Sequence, residues 1–419
     1  MRILFRGARI VDPATGRDGL GDLLLAEGRI AEAGTADRVI EARGLVLAPG
    51  LVDLSVRLRE PGGEYRATLQ SELEAAAAGG VTSLACPPDT DPPLDEPGLV
   101  EMLRRRAQAL AGANVLPLGA LTVGLAGERL TEMAELAAAG CVAFSQAERP
   151  LADTQLLWRA LEYAGTFGYA VWLRPEDPWL ARGAVAHDGA VAARLGLPGV
   201  PAFAETIALA AILELVRATR TRVHLCRLST AAAVDMVRAA RREGLPISCD
   251  VTVQHLHLCD EDIGDFDSHL RLVPPVRSRA DHDALGRGLA AGTIDALCSD
   301  HAPVDEDAKQ VPFGEAEPGA SAVELLLPLA LAWGEAQGLS LAQTLSRVTT
   351  GPARVLGLAA GRIAAGAPAD LVLFDPQARL SVAAERLRSQ GKNTPFLGAE
   401  LPGRVHLTLV GGRIVYETA

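Results

Sequence analysis

The chain has 419 residues, of which 49% are hydrophobic, enough apolar material for one large domain with a smaller module. Its formal net charge of −12 argues against the clustered basic surface that binds nucleic acid or an anionic membrane. No apolar run approaches the roughly 20 residues of a membrane-spanning helix, so we expect a soluble protein.

The cysteines and the first residues bear on the compartment. The six cysteines show neither the paired spacing of a disulfide framework nor a Cys-x-x-Cys motif. They are typical of buried thiols in a reducing compartment. Residues 1–16 alternate like a strand and do not resemble a secretory signal, so we expect a cytoplasmic protein.

Strand patterns come first along the chain. Two strand-like runs lie at residues 2–11 and 22–32, the second with a turn at Glu27-Gly28. From about Pro49, short apolar runs alternate with helical stretches, which is the pattern of β-α units and a parallel sheet. The predicted strands are residues 51–55, 81–86, 115–119, 142–145, 170–173, 223–227, 247–251 and 296–299. Eight such strands favour a closed barrel, whose reactive groups lie just after the strand ends.

Helices are predicted between these strands, for example at residues 69–78, 99–110, 205–217 and 231–242. After about Gly351, strand patterns return at residues 369–374, 405–410 and 413–416, the last two joined by Gly411-Gly412. We therefore predict an α/β fold, a (β/α)8 barrel of the TIM type with a smaller β-sandwich module formed by both termini. The predicted division is residues 50–350 for the barrel and 1–49 with 351–419 for the module.

Several motifs support a family resemblance. They are residues 49–53 (PGLVD), 58–62 (LREPG), 86–90 (CPPDT), 299–303 (SDHAP), 369–375 (ADLVLFD) and 393–396 (NTPF). In this order, over essentially the whole chain, they resemble dihydroorotase and its relatives in the amidohydrolase superfamily. The resemblance implies a barrel whose strand ends hold one or two zinc ions, a metal-bound hydroxide that attacks a cyclic amide, and an Asp that acts as base. Zinc supplies that hydroxide near neutral pH because it lowers the pKa of its bound water.

Most of the metal-ligand positions that the resemblance implies carry residues that do not bind zinc. From strand one to strand eight these positions hold Ser55, Arg57, Gln146, Arg174, Arg227 and Asp300. The family has two histidines on strand one, a carboxylate or carboxylated lysine on strand four, and one histidine each on strands five and six. Only the aspartate of strand eight remains. We therefore predict that the protein binds no metal and uses no cofactor.

Three of these positions carry arginine. A guanidinium cannot be deprotonated in a protein and offers only hydrogen-bond donors, so it cannot ligate a cation. Random drift is the alternative interpretation, but it accounts poorly for arginine at three separate ligand positions. We predict a charge network in which the arginines replace the positive charge of the missing zinc, with Asp300, Asp250 and Asp89 as partners. If the site is active after all, Asp300 is the expected base.

Two further positions concern the substrate. Arg59 stands where the resemblance implies a clamp on the substrate carboxylate, a role that suits a guanidinium. Asp89 replaces the Asn expected beside it and sets an anion against an anionic substrate. We expect this change to weaken binding unless a neighbouring arginine neutralises Asp89.

The remaining histidines have simpler explanations than a second metal site. His255 and His257 alternate after strand seven, but such a pair without a third ligand is more often a surface or loop feature. His224 shares a strand face with Cys226, and packing is the simpler interpretation. His301 follows Asp300 and is expected to form hydrogen bonds that orient its loop.

Three functions stay open at this point. The first is a catalytically inactive dihydroorotase-like protein of pyrimidine biosynthesis that assembles with aspartate carbamoyltransferase, as the resemblance implies for inactive members of the family. The second is an active cyclic-amide hydrolase that interconverts carbamoyl-aspartate and dihydroorotate at a rearranged site around Asp300. The third is a binding protein whose arginine-lined pocket senses an anionic metabolite. A homo-oligomer is compatible with each of them.

Overall fold

The first strands of the chain belong to a sheet that both termini build. A computed structural model describes residues 2–32 and 34–418. The N-terminal strands are β1 (Arg2–Asp12), β2 (Arg17–Ala26), β3 (Arg29–Ala31), β4 (Arg38–Glu41) and β5 (Val46–Pro49). β1 and β2 pair antiparallel, and β3 follows β2 through the predicted turn, where Glu27 and Gly28 both have positive φ. Alternate residues of β1, such as Ile3 and Phe5, are buried in the small core of this sheet.

The middle of the chain forms the predicted parallel barrel. In chain order, the strands of this part are β6 (Leu51–Asp53), β7 (Val81–Cys86), β8 (Asn114–Ala120), β9 (Ala143–Ser145), β10 (Val171–Leu173), β11 (Ala186–His187), β12 (Gly199–Val200), β13 (Val223–Leu225), β14 (Ile247–Thr252) and β15 (Ala296–Cys298). β11 and β12 form a short separate pair, and the other eight strands form the barrel sheet. All eight predicted strands are confirmed. Their largely buried and mostly apolar residues are typical of parallel strands with both faces covered. Between β15 and β6 the barrel is closed by a parallel bridge, in which the Arg57 N–H donates to the His301 carbonyl at 2.9 Å.

Helices follow most of the barrel strands, and the four predicted helices are among them. The helices are α1 (Leu69–Ala78), α2 (Pro97–Leu110), α3 (Met133–Ala139), α4 (Thr154–Phe167), α5 (Ala190–Leu195), α6 (Phe203–Thr219), α7 (Ala231–Arg242), α8 (Val253–His257), α9 (Arg279–Ala290), α10 (Leu326–Ala336), α11 (Leu341–Ser346) and α12 (Thr350–Leu356). Local chemistry fixes their ends: the Thr230 hydroxyl accepts from the backbone of Ala233 at the start of α7, and Gly168 ends α4 with positive φ. Over the described part of the chain, no helix combines the length and the apolar character that crossing a membrane requires.

The C-terminal strands complete the terminal sheet. They are β16 (Leu371–Ser381), β17 (Glu400–Val410) and β18 (Arg413–Glu417). β16 pairs antiparallel with β5, so that one continuous sheet runs in the order β18-β17-β16-β5-β1-β2-β3, with β4 beside β1. The chain passes from this sheet into the barrel between Pro49 and Leu51. The sheet therefore holds the two ends of the chain together while the barrel strands present their carboxyl ends to the candidate site.

Candidate functional site

Four residues at the mouth of the barrel have a backbone conformation that side chains other than glycine rarely adopt. Ala147, Arg227 and Asp300 lie two residues beyond β9, β13 and β15 and have φ of 52°, 55° and 45°. Arg59, after β6, has φ of 59°. Left-handed backbone at non-glycine residues carries a conformational cost and clusters at functional sites. These strand ends are therefore the place to look for a functional site.

Asp300 is bound by side chains from three other strand-end positions. The Ser55 hydroxyl donates to Oδ1 of Asp300 at 2.9 Å, and the guanidinium groups of Arg57 and Arg227 donate to the same oxygen at 3.1 and 3.2 Å. The side chains of both arginines are buried, with exposed fractions of 6% and 4%. The carboxylate that the resemblance assigns to the metal thus lies in a shell of hydrogen-bond donors.

Glu148 is a second anion in this network, and the sequence analysis did not name it. Its carboxylate forms ion pairs with Arg57 and Arg227, and its Oε2 lies 3.3 Å from Nε of Arg174. Arg174 also donates to the backbone carbonyl of Glu148 at 2.7 Å and pairs with Glu176 at 2.6 Å. One signal could have pointed to Glu148: it lies three residues beyond the end of β9, in the region where barrels of this type place their reactive groups.

Gln146, the residue named for the strand-four ligand position, lies outside the network. Its side chain accepts a hydrogen bond from the Thr122 hydroxyl at 3.0 Å and donates to the Leu125 carbonyl at 2.9 Å. The positive φ of Ala147 reverses the chain after β9, so that Glu148 contacts the arginines in its place.

The charges of the network support one another. Burial alone would raise the pKa of Glu148, but the charges of Arg227, Arg57 and Arg174 outweigh burial and hold that pKa at about 2. Burial works to lower the pKa of Arg57, yet its three carboxylate neighbours raise it above the ordinary value. Glu148 and Arg57 are therefore both ionised at neutral pH, and each stabilises the charge of the other.

The two other predicted partners behave differently from each other. Asp89 accepts a hydrogen bond from Nε of Arg57 at 2.8 Å, which neutralises the anion in the way that the sequence required. Asp250 forms no pair with a guanidinium among the residues that the structure describes. It accepts from the backbone N–H of Arg227 at 2.6 Å, and Nε2 of His224 lies 2.9 Å away. The hypothesis that Asp250 balances an arginine side chain is therefore wrong.

Arg59 is the guanidinium of the mouth with the fewest partners. Its Nε donates to the Pro303 carbonyl at 2.9 Å, and within residues 2–32 and 34–418 it forms no ion pair. Burial, followed by the charge of Arg57, lowers its pKa.

The cavity beside Arg57, Arg227 and Asp250 has a volume of only about 20 Å³, room for roughly one water, whereas ligand pockets usually hold about 300 Å³ or more.

The chemistry of the available donors does not suit a zinc ion. Around Asp300 the neighbouring side chains are hydrogen-bond donors and cations. In the described part of the chain, the one set of three side chains close enough to share an ion is His224, Cys226 and Asp250. Both ring nitrogens of His224 already form hydrogen bonds, to Ser248 at 2.8 Å and to Asp250, and burial raises the pKa of the Cys226 thiol. To ligate zinc, a histidine must offer a free ring nitrogen and a cysteine must be a thiolate.

The other histidines have structural partners. His255 and His257 lie in α8, so their interpretation as a surface or loop pair is wrong. Ring nitrogens of His255 lie 2.8 Å from the Thr252 hydroxyl and 3.1 Å from the Pro275 carbonyl, and burial lowers the pKa of both histidines to about 4. His301 is fully buried and orients its loop as predicted, with Nε2 2.5 Å from Glu72 and Nδ1 accepting from the backbone of Ala322 at 3.1 Å.

The barrel, the terminal sheet and the strand-end positions together define an amidohydrolase-type protein. A model of the amidohydrolase family matches residues 176–416, and a dihydro-orotase-like model matches residues 44–233. A "Dihydroorotase-like protein" of Pseudomonas aeruginosa is 46% identical and covers 100% of both chains, and one of Pseudomonas putida is 46% identical over 99% of both. The chain belongs to the dihydroorotase-like members of the amidohydrolase superfamily.

Other relatives carry a different name. A "Dihydroorotase" of Anaeromyxobacter sp. is 41% identical and covers 99% of this chain and 98% of its own. Among solved structures, the L-hydantoinase (dihydropyrimidinase) from Arthrobacter aurescens superimposes with a TM-score of 0.88 at 24% identity, over 99% of this chain and 96% of the other. At that identity the likeness supports the fold, and the chemistry must be argued from the residues of the site.

Proposed function

We propose that this dihydroorotase-like protein is catalytically inactive and binds no metal cofactor. The observation that carries the proposal is the direct binding of Asp300 by Arg57 and Arg227. Metal-assisted hydrolysis needs an ion that activates water, and a base with a free lone pair. Here permanent cations occupy three of the six ligand positions, and the candidate base accepts hydrogen bonds from two of them, with Arg227 in reach of both of its oxygens.

The test combines metal analysis with an assay of dihydroorotate hydrolysis. After dialysis, we expect no stoichiometric zinc, and with zinc, manganese or cobalt added, turnover equal to that of the matched Asp300→Ala variant. Restoring histidine singly at Arg57, Arg174 or Arg227 should not recover zinc, because the remaining arginines still repel it. Close to one metal per chain, or turnover that survives repurification and disappears in Asp300→Ala, would show an active hydrolase, the function for which several relatives are named.

We further propose that the protein acts as a structural or regulatory partner of aspartate carbamoyltransferase in the cytoplasm. This rests on the resemblance to inactive family members that assemble with that enzyme, and it agrees with an intact barrel whose mouth is filled with ion pairs. If the site at the barrel mouth no longer catalyses a reaction, the outer surface of the barrel is the part that remains free to bind another protein.

Co-expression with the aspartate carbamoyltransferase of the same organism tests the partnership. Size-exclusion chromatography should give one large complex, and the transcarbamoylase alone should be less stable or less active than in the complex. Two separate peaks at micromolar concentration, with unchanged transcarbamoylase activity, would refute the proposal. The Arg227→Ala variant is a useful control, because a partnership through the outer surface should tolerate a change inside the mouth as long as the variant folds.

A further inference from the structure

A groove of about 370 Å³ lies apart from the barrel mouth, between the C-terminal strands and the start of α10. Residues of β16, β17 and β18 form one side of it, and the rest comes from Ala78 at the end of α1, from Glu324, Leu325 and Pro328, and from residues within 382–388. The volume falls within the usual range for small-molecule sites. None of the residues at the barrel mouth contributes to it.

Four arginines line this arginine groove. They are Arg379, Arg386, Arg388 and Arg404. All four are exposed, and none of their guanidinium groups forms an ion pair within the part of the chain that the structure describes. In a chain with a net charge of −12, four unneutralised cations around one concave surface form a local field of the opposite sign, which attracts anions.

Three carboxylates lie in or beside the groove, and among the described residues none of them forms an ion pair with one of its arginines. Glu324 lines the groove, but its oxygens accept from the backbone N–H groups of Arg388, at 2.8 and 3.0 Å, and of Ser389, at 2.9 Å. Asp375 faces Arg404 across the strand pair, yet its Oδ1 accepts from two backbone N–H groups of its own turn. The exposed Glu385, next to Arg386, forms no ion pair with a described residue.

One of the arginines is held in place. The guanidinium carbon of Arg388 lies 5.3 Å from the centre of the Tyr416 ring, a contact that orients the planar group and leaves its N–H edges available. Guanidinium edges match the oxygens of phosphate, which accept two parallel hydrogen bonds. A carboxylate has two acceptor oxygens and one negative charge, so a single carboxylate would leave most of the charge of four arginines unbalanced.

We propose that the arginine groove binds a small phosphorylated anion with at least two negative charges. The shared chemistry is a pair of phosphate groups, which could come from inorganic pyrophosphate or from a nucleoside diphosphate. The groove volume accommodates either, and the arginines contact the phosphates in both. This inference is independent of the proposed function, because it uses no residue of the barrel mouth and neither hydrolysis nor its absence bears on it.

Isothermal titration calorimetry with pyrophosphate, at fixed ionic strength, tests the proposal on the full chain. We expect saturable binding of one ligand per chain, weakened by about tenfold or more in Arg379→Ala and in Arg404→Ala, and abolished in the double variant. The matched control is Arg242→Ala, which removes an exposed arginine at the end of α7 and should leave binding unchanged. Circular dichroism of each variant establishes that the fold is retained.

A second titration with a nucleoside diphosphate distinguishes the sources of the phosphates. Tighter binding than pyrophosphate would assign the groove to a nucleotide, and equal or weaker binding to the phosphate groups alone. Arg388→Lys keeps the charge but loses the planar fork, so it should weaken binding of both ligands. No saturable binding at low millimolar ligand, or a loss of affinity in Arg242→Ala as large as in Arg404→Ala, would overturn the proposal.

Discussion

Arg227 has a buried side chain that connects two partly exposed carboxylates. Its side chain is 4% exposed and contacts Asp300 and Glu148. Arg227→Ala leaves both carboxylates with less positive charge around them, and a buried charge that loses its partner is costly. We expect the free energy of unfolding to fall by about 3 kcal/mol or more, measured by urea denaturation.

The control for this change is an arginine of similar length on the surface. Arg238 pairs with Asp235 on α7, and their side chains are 42% and 72% exposed. Arg238→Ala should change the free energy of unfolding by less than about 0.5 kcal/mol, because water solvates the remaining charge. Equal effects of the two substitutions would mean that the arginines of the barrel mouth are solvated bystanders.

The pKa of Glu148 predicts how stability depends on pH. That pKa is about 2 in the folded chain, below the ordinary value of 4.5. A carboxyl whose folded pKa is depressed stabilises the fold fully above the unfolded pKa, and this contribution is lost as pH falls from about 4.5 towards 2. Glu148→Gln cannot titrate, so the gap in unfolding free energy between parent and variant should shrink by on the order of 1 to 2 kcal/mol between about pH 6 and pH 3. A gap that stays constant over this range would contradict the assignment.

At this scale the sequence predicted some residues of the site and missed others. Arg57, Arg227 and Asp300 could be named because each follows a strand that its apolar run makes easy to recognise. Gln146 and Glu148 could not be separated, since they lie two residues apart and the left-handed φ of Ala147 decides which of them contacts the arginines. Alanine carries no sequence signal for that conformation, unlike glycine.

At the scale of elements, the barrel strands were predictable because parallel strands with both faces covered are apolar throughout. α8 was not, since its few residues follow β14 directly and their alternating histidines mimic a strand or loop. Contacts between elements far apart in sequence were also out of reach. The clearest case is a junction of α1, the loop after β15 and the segment that contains Ser389 and Gln390.

Glu72 is the centre of that junction. It is fully buried and accepts hydrogen bonds from His301, from the Ser389 hydroxyl at 2.7 Å and from the Gln390 backbone at 3.1 Å. Nδ1 of His301 accepts from backbone N–H groups, so its Nε2 carries the proton and must donate. In Glu72→Gln, these donors would face either the amide N–H₂, which cannot accept a hydrogen bond, or the amide oxygen, which accepts more weakly than a carboxylate. We therefore expect the free energy of unfolding to fall by about 3 kcal/mol.

A neighbour on the same helix provides the control for the Glu72 prediction. Glu74 is exposed on α1, and among the described residues its carboxylate accepts a side-chain hydrogen bond only from Gln70, at 2.9 Å. Glu74→Gln removes the same charge from the same helix without touching the junction, so it should alter stability by less than about 0.5 kcal/mol. If the two variants unfold at the same urea concentration, Glu72 does not hold these elements together.

At the scale of the whole molecule, the β2-β3 hairpin near the start of the chain meets the last hairpin, β17-β18. The turns at Glu27-Gly28 and Gly411-Gly412 were predicted separately, each from its glycines. The structure brings them together: the Gly28 carbonyl accepts from the backbone N–H of Ala369 at 2.9 Å, and the Ala369 carbonyl accepts from Gly412 at 3.0 Å. Sequence patterns report the turn type of a hairpin but carry no information on which distant turn it packs against. The contact nevertheless joins the two ends of the terminal sheet, the β2-β3 hairpin and the β17-β18 hairpin.

The adjacent glycines of the last hairpin allow this contact to be tested by itself. Both have left-handed φ, 55° at Gly411 and 73° at Gly412, so alanine at either position carries the same conformational strain, about 1 kcal/mol. A Cβ at Gly411 would meet open space, whereas a Cβ at Gly412 would overlap the backbone of Gly28. Gly412→Ala must therefore separate the two hairpins, and we expect it to lower the free energy of unfolding by about 3 kcal/mol, against about 1 kcal/mol for Gly411→Ala. Urea denaturation of both variants measures the difference, and equal losses would mean that the meeting of the two hairpins contributes nothing to stability beyond the strain of each turn.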